Sequence, residues 1–198
     1  MKKSLLIVFI VLVIDQSSKF WVKTHMTLGQ EFRIAGDWSF IHFIENDGMA
    51  FGMQFGGDYG KLFLSIFRII AVILIAYYLY HINRHKTING FIISMSLILA
   101  GAIGNIIDSA FYGLLFSEST YFELARFLPA EGGYSSILHG KVVDMFYFPV
   151  LQGNYPLWFP FWAGQDYIFF SPVFNIADSA ITVGVILLLF FQGGVSKK

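Results

Sequence analysis

Four apolar runs limit what this chain can become. Residues 4–22, 62–80, 88–107 and 173–192 each approach the length of a membrane-crossing helix, about 20 residues at about 1.5 Å of rise each. The first is broken by Asp15, Gln16, Ser17, Ser18 and Lys19. Hydrophobic residues make up 56% of the sequence and charged residues only 13%, roughly half the charge of a soluble domain. The expected fold is a membrane all-α protein with four transmembrane helices, forming one integral membrane domain over 1–198. Met1-Lys2-Lys3 followed by Leu5–Ile14 begins like a signal peptide. However, Asp15-Gln16 stands where a small-x-small cleavage site should come, so an uncleaved first helix is expected.

The cations set the orientation. Lys2 and Lys3 precede the first run, Arg84 and Lys86 separate the second from the third, and Lys197 and Lys198 follow the fourth. Cationic loops stay on the cytoplasmic side. Both termini are therefore expected in the cytoplasm, with 23–61 and 108–172 outside it. The formal net charge is zero and there is no cysteine. The first gives no reason to expect a nucleic-acid partner. The second excludes thiol nucleophiles, disulfides and thiolate metal sites.

The carboxylic acids carry the chemistry. Asp178 sits in Phe174-Asn175-Ile176-Ala177-Asp178-Ser179, at the head of the last apolar run, and Asp144 sits in Val142-Val143-Asp144-Met145-Phe146. An acid at such a depth is costly and usually faces a polar cavity where it acts. The reading is that Asp144 and Asp178 meet on one water molecule. Two carboxylates so close cannot both ionise, so the pair shares a proton. The ionised member takes a proton from water, and the other polarises the scissile carbonyl and assists the leaving amine. Competing chemistries lack their residues. There is no His-Glu-x-x-His, no Gly-x-Ser-x-Gly, no glycine-rich phosphate loop, and no histidine within a run.

Other residues gather around this pair. Asp15 and Lys19 are four apart and share a helix face, as a site element or as an orienting salt bridge. Asn105-x-x-Asp108 closes the third run with the spacing of Asn175-x-x-Asp178. Two such pairs at matched depth build a polar cluster between helices. Gly101, Ala102 and Gly104 allow close helix packing there. Arg68 lies within about two turns of the outer end of its run, where snorkelling is the default. Residues 38–55 read as extended, with a turn at Glu45-Asn46-Asp47-Gly48. This stretch fits an ordinary hairpin at the membrane surface better than a strand edge that holds a peptide. Residues 109–141 form a polar-to-mixed insertion, and Gly140-Lys141-Val142-Val143-Asp144 reads as a strand leaving a glycine turn. The aromatic-rich 146–170 reads as an interfacial rim or lid touching lipid, or as an aromatic mini-core.

Asp15-Gln16-x-x-Lys19, Glu45-Asn46-x-Gly48-x-Ala50-Phe51-Gly52, Gly101-Ala102-x-Gly104-Asn105-x-x-Asp108, Gly140-x-Val142-Val143-Asp144 and Phe174-Asn175-x-Ala177-Asp178-Ser179 resemble, in order, the motifs of lipoprotein signal peptidases (signal peptidase II). The resemblance implies an aspartic endopeptidase of the bacterial inner membrane. Such an enzyme removes the signal peptide from diacylglyceryl-modified prolipoproteins by cutting before the lipidated cysteine. It implies catalytic roles for Asp144 and Asp178, and supporting roles for Asp15, Lys19, Asn46, Gly48, Asn105, Asp108, Asn175 and Ala177. It also implies four membrane helices with a small extracytoplasmic β-cradle and no metal or organic cofactor. The expected partners are the lipid-modified prolipoprotein, membrane lipid and globomycin-type inhibitors, with the chain a monomer.

Two departures stand out. Ser109 occupies the place of an arginine that usually follows the third-run aspartate, with Arg126 or Lys141 as replacements. The links from Asp108 to Asp144 and from Asp144 to Asp178 are longer than the family's, so the extracytoplasmic loop region is enlarged. The alternative is a non-enzymatic four-helix protein that handles protons, ions or lipid. A transport path would need polar groups across the whole bilayer, and the acids here cluster at the outer half.

Overall fold

A computed structural model describes residues 1–46, 57–84, 87–169 and 172–191. The first helix, α1 (Lys2–His25), contains neither proline nor glycine and ends with Lys23 and His25 in its last turn. It runs past both ends of the apolar segment read from the sequence. Its buried face mixes polar and apolar residues, and its exposed face is largely apolar. Asp15, Lys19, Val22 and Met26 are buried, whereas Leu5, Leu6, Phe9, Ile10 and Val13 are exposed. The buried residues follow a spacing of four, three and four, which is one helical face. An exposed apolar surface of this kind requires lipid rather than water.

α2 (Gly57–Ile82) and α3 (Asn89–Ile107) follow. α3 packs against α1, α2 and the last helix, α5 (Ile176–Phe191). Among the described residues three helical segments are long and apolar enough to cross a membrane, Lys2–His25, Gly60–Ile82 and Asn89–Leu115. α5 is apolar but has 16 residues, about 24 Å of helix. It begins later than the apolar run does, because Val173 and Phe174 are strand. An inner cluster of Leu79, Ile82, Phe91, Met95 and Leu99 joins α2 to α3.

The third helical path does not stop at Ile107. It passes through a π turn, Asp108–Tyr112, into a short helix α4 (Gly113–Leu115). The wider turn leaves backbone carbonyls without helical donors, and the returning insertion supplies them. Gly140 N–H donates to Ser109 O at 2.8 Å, Ser135 N–H to Gly113 O at 2.9 Å and Leu128 N–H to Leu115 O at 2.7 Å. The first part of the presumed insertion is therefore helix, and the rest is strapped to it.

Outside the helices lies an antiparallel sheet, β1 (Glu31–Ala35), β2 (Ser39–Asn46), β3 (Val142–Tyr147) and β6 (Val173–Phe174), in the order β1-β2-β3-β6. β1 was not expected from the sequence. Glu45 and Asn46 belong to β2 rather than to a turn, while Asp47, Gly48 and the rest of that motif lie outside the described residues. A second, separate hairpin is formed by β4 (Leu151–Asn154) and β5 (Asp166–Phe169). Val22, Met26, Phe43, Tyr112, Phe116, Val143 and Met145 form one core. It fixes the outer end of α1 to the sheet and to the π turn.

Candidate functional site

The short strand β6 positions the site. Phe174 pairs with Phe146 of β3, so the next residue, Asn175, enters beside Asp144. Asn175 then caps α5. Its Oδ1 accepts the Asp178 N–H at 2.9 Å, and its own N–H donates to Asp178 Oδ2 at 3.3 Å. This is a reciprocal capping box. Because Oδ1 is taken, the amide nitrogen must point the other way, and it donates to Asp144 Oδ1 at 2.7 Å. One asparagine thus holds both aspartates. Asn46 completes the grip on Asp144 by donating to Oδ2. It reaches there diagonally, since Asn46 opposes Val142 and Ile44 opposes Asp144.

Behind the pair lies a buried charge cluster. Lys19 Nζ contacts Asp15 Oδ2 at 3.0 Å, Asp108 Oδ2 at 2.8 Å and Asn105 Oδ1 at 2.9 Å, and both ion pairs have fully buried side chains. All three ammonium protons are therefore used. With its Oδ1 held by Lys19, Asn105 presents Nδ2 to Asp178 Oδ1 at 2.8 Å. Asn175 Nδ2 donates to the same Oδ1 at 3.2 Å, so the cation and that amide together set the direction of a side chain that touches the candidate pair. Asp15 Oδ1 accepts the N–H of Ala177 at 2.9 Å, so α1 caps the first turn of α5. Asp108 Oδ2 accepts the Val143 N–H at 3.3 Å, so α3 holds β3. Gly104 makes this approach possible. A Cβ there would lie 2.7 Å from Asp15 Oδ2 and 3.1 Å from Ala177 Cβ.

Burial is the main reason that Asp144 is pushed up to about 7, from an ordinary 3.8, with the Asp178 charge next. A group poised there exchanges protons at neutral pH. Two carboxylates of this kind, each held by amide donors, suit general acid–base work on a water molecule.

Every sequence-nominated residue that the structure describes joins this cluster: Asp15, Lys19, Asn46, Asn105, Asp108, Asp144, Asn175, Ala177 and Asp178. Gly48 lies outside the described residues. Among these residues no group of three or more His, Asp or Glu side chains is arranged to hold a metal ion. Neither nominated replacement for the missing arginine joins the cluster. Arg126 pairs with Glu131 on the surface, and Lys141 Nζ is 3.8 Å from Glu118. Ser109 only turns its hydroxyl back to Asn105 O at 3.1 Å. Arg68 instead feels the charges of Asp178, Asp144 and Asp108, in that order. It shares a face of α2 with buried Ser65, whose hydroxyl donates to Leu138 O at 3.0 Å. It is half-buried.

Sequence reasoning also missed Gln16, whose amide donates to Asp15 Oδ2 at 3.0 Å and to Asp108 Oδ1 at 2.9 Å. It missed Lys23 as well, which pairs with Glu45, donates to Ser119 Oγ at 2.8 Å and lies over the Tyr134 ring. The available signal was the helical repeat itself. Residues 15, 16, 19 and 23 form one continuous polar stripe along the outer half of the helix.

Comparison with known proteins finds clear relatives. The family model described as signal peptidase (SPase) II matches residues 7–192. A lipoprotein signal peptidase of Porphyromonas gingivalis is 51% identical over 184 residues, covering 92% of this chain and 79% of the relative. One from Amoebophilus asiaticus is 38% identical, covering 92% and 74%. A solved bacterial membrane enzyme superposes with a TM-score of 0.63 at 27% identity, over 96% of this chain and 92% of its own.

Proposed function

The chain belongs to the signal peptidase II family, and on that premise we propose that Asp144 and Asp178 are the catalytic pair with which it removes signal peptides from prolipoproteins. The observation that carries this is Asn175, bonded at once to Asp144 and to Asp178. In the reaction the ionised carboxylate takes a proton from a water held between the two. The water oxygen attacks the carbonyl carbon before the diacylglyceryl cysteine. The protonated carboxyl hydrogen-bonds to the carbonyl oxygen as charge develops there. When the C–N bond breaks, the amine leaves with a proton from the pair. The remaining product is a carboxylic acid, and the pair again holds one proton. Asn46, Asn105, Asn175 and Ala177 orient the two acids, and Asp15, Lys19 and Asp108 fix the helices that carry them. Gly48 keeps its supporting role by resemblance alone. A proton or ion path is not favoured. Among the described residues the carboxylates of the spans are Asp15, Asp108 and Asp178, all in the single cluster described above.

In this reading α5 is a fourth span, both termini lie in the cytoplasm, and the site opens at the outer face of the bacterial inner membrane. A single cysteine placed at Arg84 in this thiol-free chain should be labelled only from the cytoplasmic side. Labelling from outside reverses the topology.

The substrate should depend on its lipid. The pair sits at the start of α5, where a bare peptide gains little by partitioning. Each CH₂ of a buried acyl chain contributes about 0.8 kcal/mol and holds the scissile bond at that depth. Purified protein should cut a diacylglyceryl-modified peptide and cut its unlipidated twin far more slowly, with globomycin-type peptides competing. Equal rates at matched low concentration remove the anchoring argument. One chain carries all the residues named, so a monomer suffices.

A further inference from the structure

The β4–β5 hairpin ends in a tip whose residues, 155–165, include no Asp, Glu, Lys or Arg. The tip is folded on itself. Tyr155 N–H donates to Gln165 O at 2.9 Å, and Gly164 N–H donates to Tyr155 O at 3.0 Å. The Tyr155 ring packs on Phe159 at 5.0 Å and on Tyr167 at 5.1 Å, with Trp162 at 6.1 Å. This inner stack is the aromatic mini-core, and it leaves a second set of side chains facing outward. Leu157 is 86% exposed, Trp158 78% and Phe161 90%. Phe161 also holds a left-handed backbone, φ 73, a conformation that costs a non-glycine residue free energy. Its ring meets Trp162 edge-on, 6.2 Å between centroids, and stays largely exposed. A polar pair stands directly behind the tip, where Asn154 donates to Asp166 across the last rung of the two strands.

The base is anchored beside the site. The chain leaves β3 after Tyr147 and returns at Val173, and these two residues pair. α5 starts three residues after Val173. Four-residue strands at about 3.4 Å per residue give a reach of about 14 Å before the tip. A membrane surface at the head of α5 is within that reach. An uncharged tip with Trp, Phe and Leu outward, backed at once by the polar Asn154–Asp166 pair, matches the headgroup–acyl boundary, where indole and phenyl rings settle.

We propose that the β4–β5 tip is a membrane-interface anchor, with Leu157, Trp158 and Phe161 entering the leaflet at which α5 begins. The partner is lipid of the bilayer itself, not the acyl chains of a bound substrate. The inference rests on the chain's place in a membrane and not on the cleavage reading, so the two fail separately.

The full chain carries Trp21, Trp38, Trp158 and Trp162. With Trp21→Phe and Trp38→Phe, emission comes from the tip alone. In phosphatidylcholine vesicles without substrate, bromines near the carbonyl end of the acyl chains should quench that emission at least about twofold more than bromines near the terminal methyl, as befits residues at the interface. Quenching by neither bromolipid, with free access to aqueous acrylamide, overturns the proposal. Quenching that appears only when a peptide with brominated acyl chains is added also overturns it and makes the tip a substrate lid. If the double variant fails to fold, a nitroxide on Leu157→Cys gives the same decision. Collision with lipid-soluble oxygen above that with an aqueous nickel chelate supports the anchor, and the reverse order rejects it.

Discussion

Replacing Asp144 or Asp178 by asparagine should reduce cleavage of a diacylglyceryl-modified prolipoprotein by roughly 10²–10⁴-fold, the usual share of general acid–base catalysis, in a chain that still inserts and melts cooperatively. Asparagine keeps the shape of the carboxyl but can neither take nor give the reaction's protons. Its effect on folding is moderate, because the shape is kept and one of the two donors at each aspartate still finds an oxygen, although the other then faces an NH₂. Near-normal turnover by either variant would reassign the chemistry, with Asp108 next in line. The pH profile gives a second reading. Asp144 is raised to about 7 by burial and then by Asp178, so the pair holds its shared proton through the acidic range and loses it as pH rises past neutrality. Activity should therefore fall on the alkaline side with a midpoint near that value. The sign for stability is the same. Between the unfolded and the folded pKa, Asp144 is ionised only in the unfolded chain, so folding weakens as pH rises through that window. Asp178→Asn removes the neighbouring charge and should move the Asp144 midpoint down. An alkaline limb unaffected by Asp178→Asn would separate the two acids.

Much of the site was legible because it is written in short motifs on helices. Asp15 and Lys19, or Asn105 and Asp108, lie within one turn of each other, so spacing alone places each pair on one face. The two Asn-x-x-Asp motifs look alike but do different work. The one at 175–178 is a capping box, and the one at 105–108 enters a π turn, which no periodicity marks. Strand β1 was missed although Glu31-Phe32-Arg33-Ile34 alternates, because the alternation is four residues long and marks no buried face: the strand is exposed along its length. Asn46 was placed in a turn because Asn and Gly near each other usually signal one. Pairing with β3 overrides that local preference.

Replacing Lys19 by methionine should destabilise the protein by about 3–5 kcal/mol, the usual penalty for removing one partner of a buried ion pair. The loss is large because Lys19 neutralises two fully buried acids at once, Asp15 at 3.0 Å and Asp108 at 2.8 Å. Without it both acids must take up protons or draw in water. Each also holds something else. Asp15 caps α5 through the Ala177 N–H, and Asp108 ties down β3 through the Val143 N–H. The defect should therefore spread from one side chain to the strand and the helix that carry Asp144 and Asp178. A triple variant, Asp15→Asn, Lys19→Met and Asp108→Asn, separates charge from shape. With no buried charge left uncompensated, it should regain most of the lost stability. It should not regain full activity, because the Asn105 Oδ1 has lost the shorter of the two donors that direct its amide toward Asp178. Melting in detergent reads the first effect, and turnover of the lipidated peptide reads the second. If the single variant melts with the parent, Lys19 does not hold the cluster together. If the triple variant is fully active, the amide needs no cation to orient it.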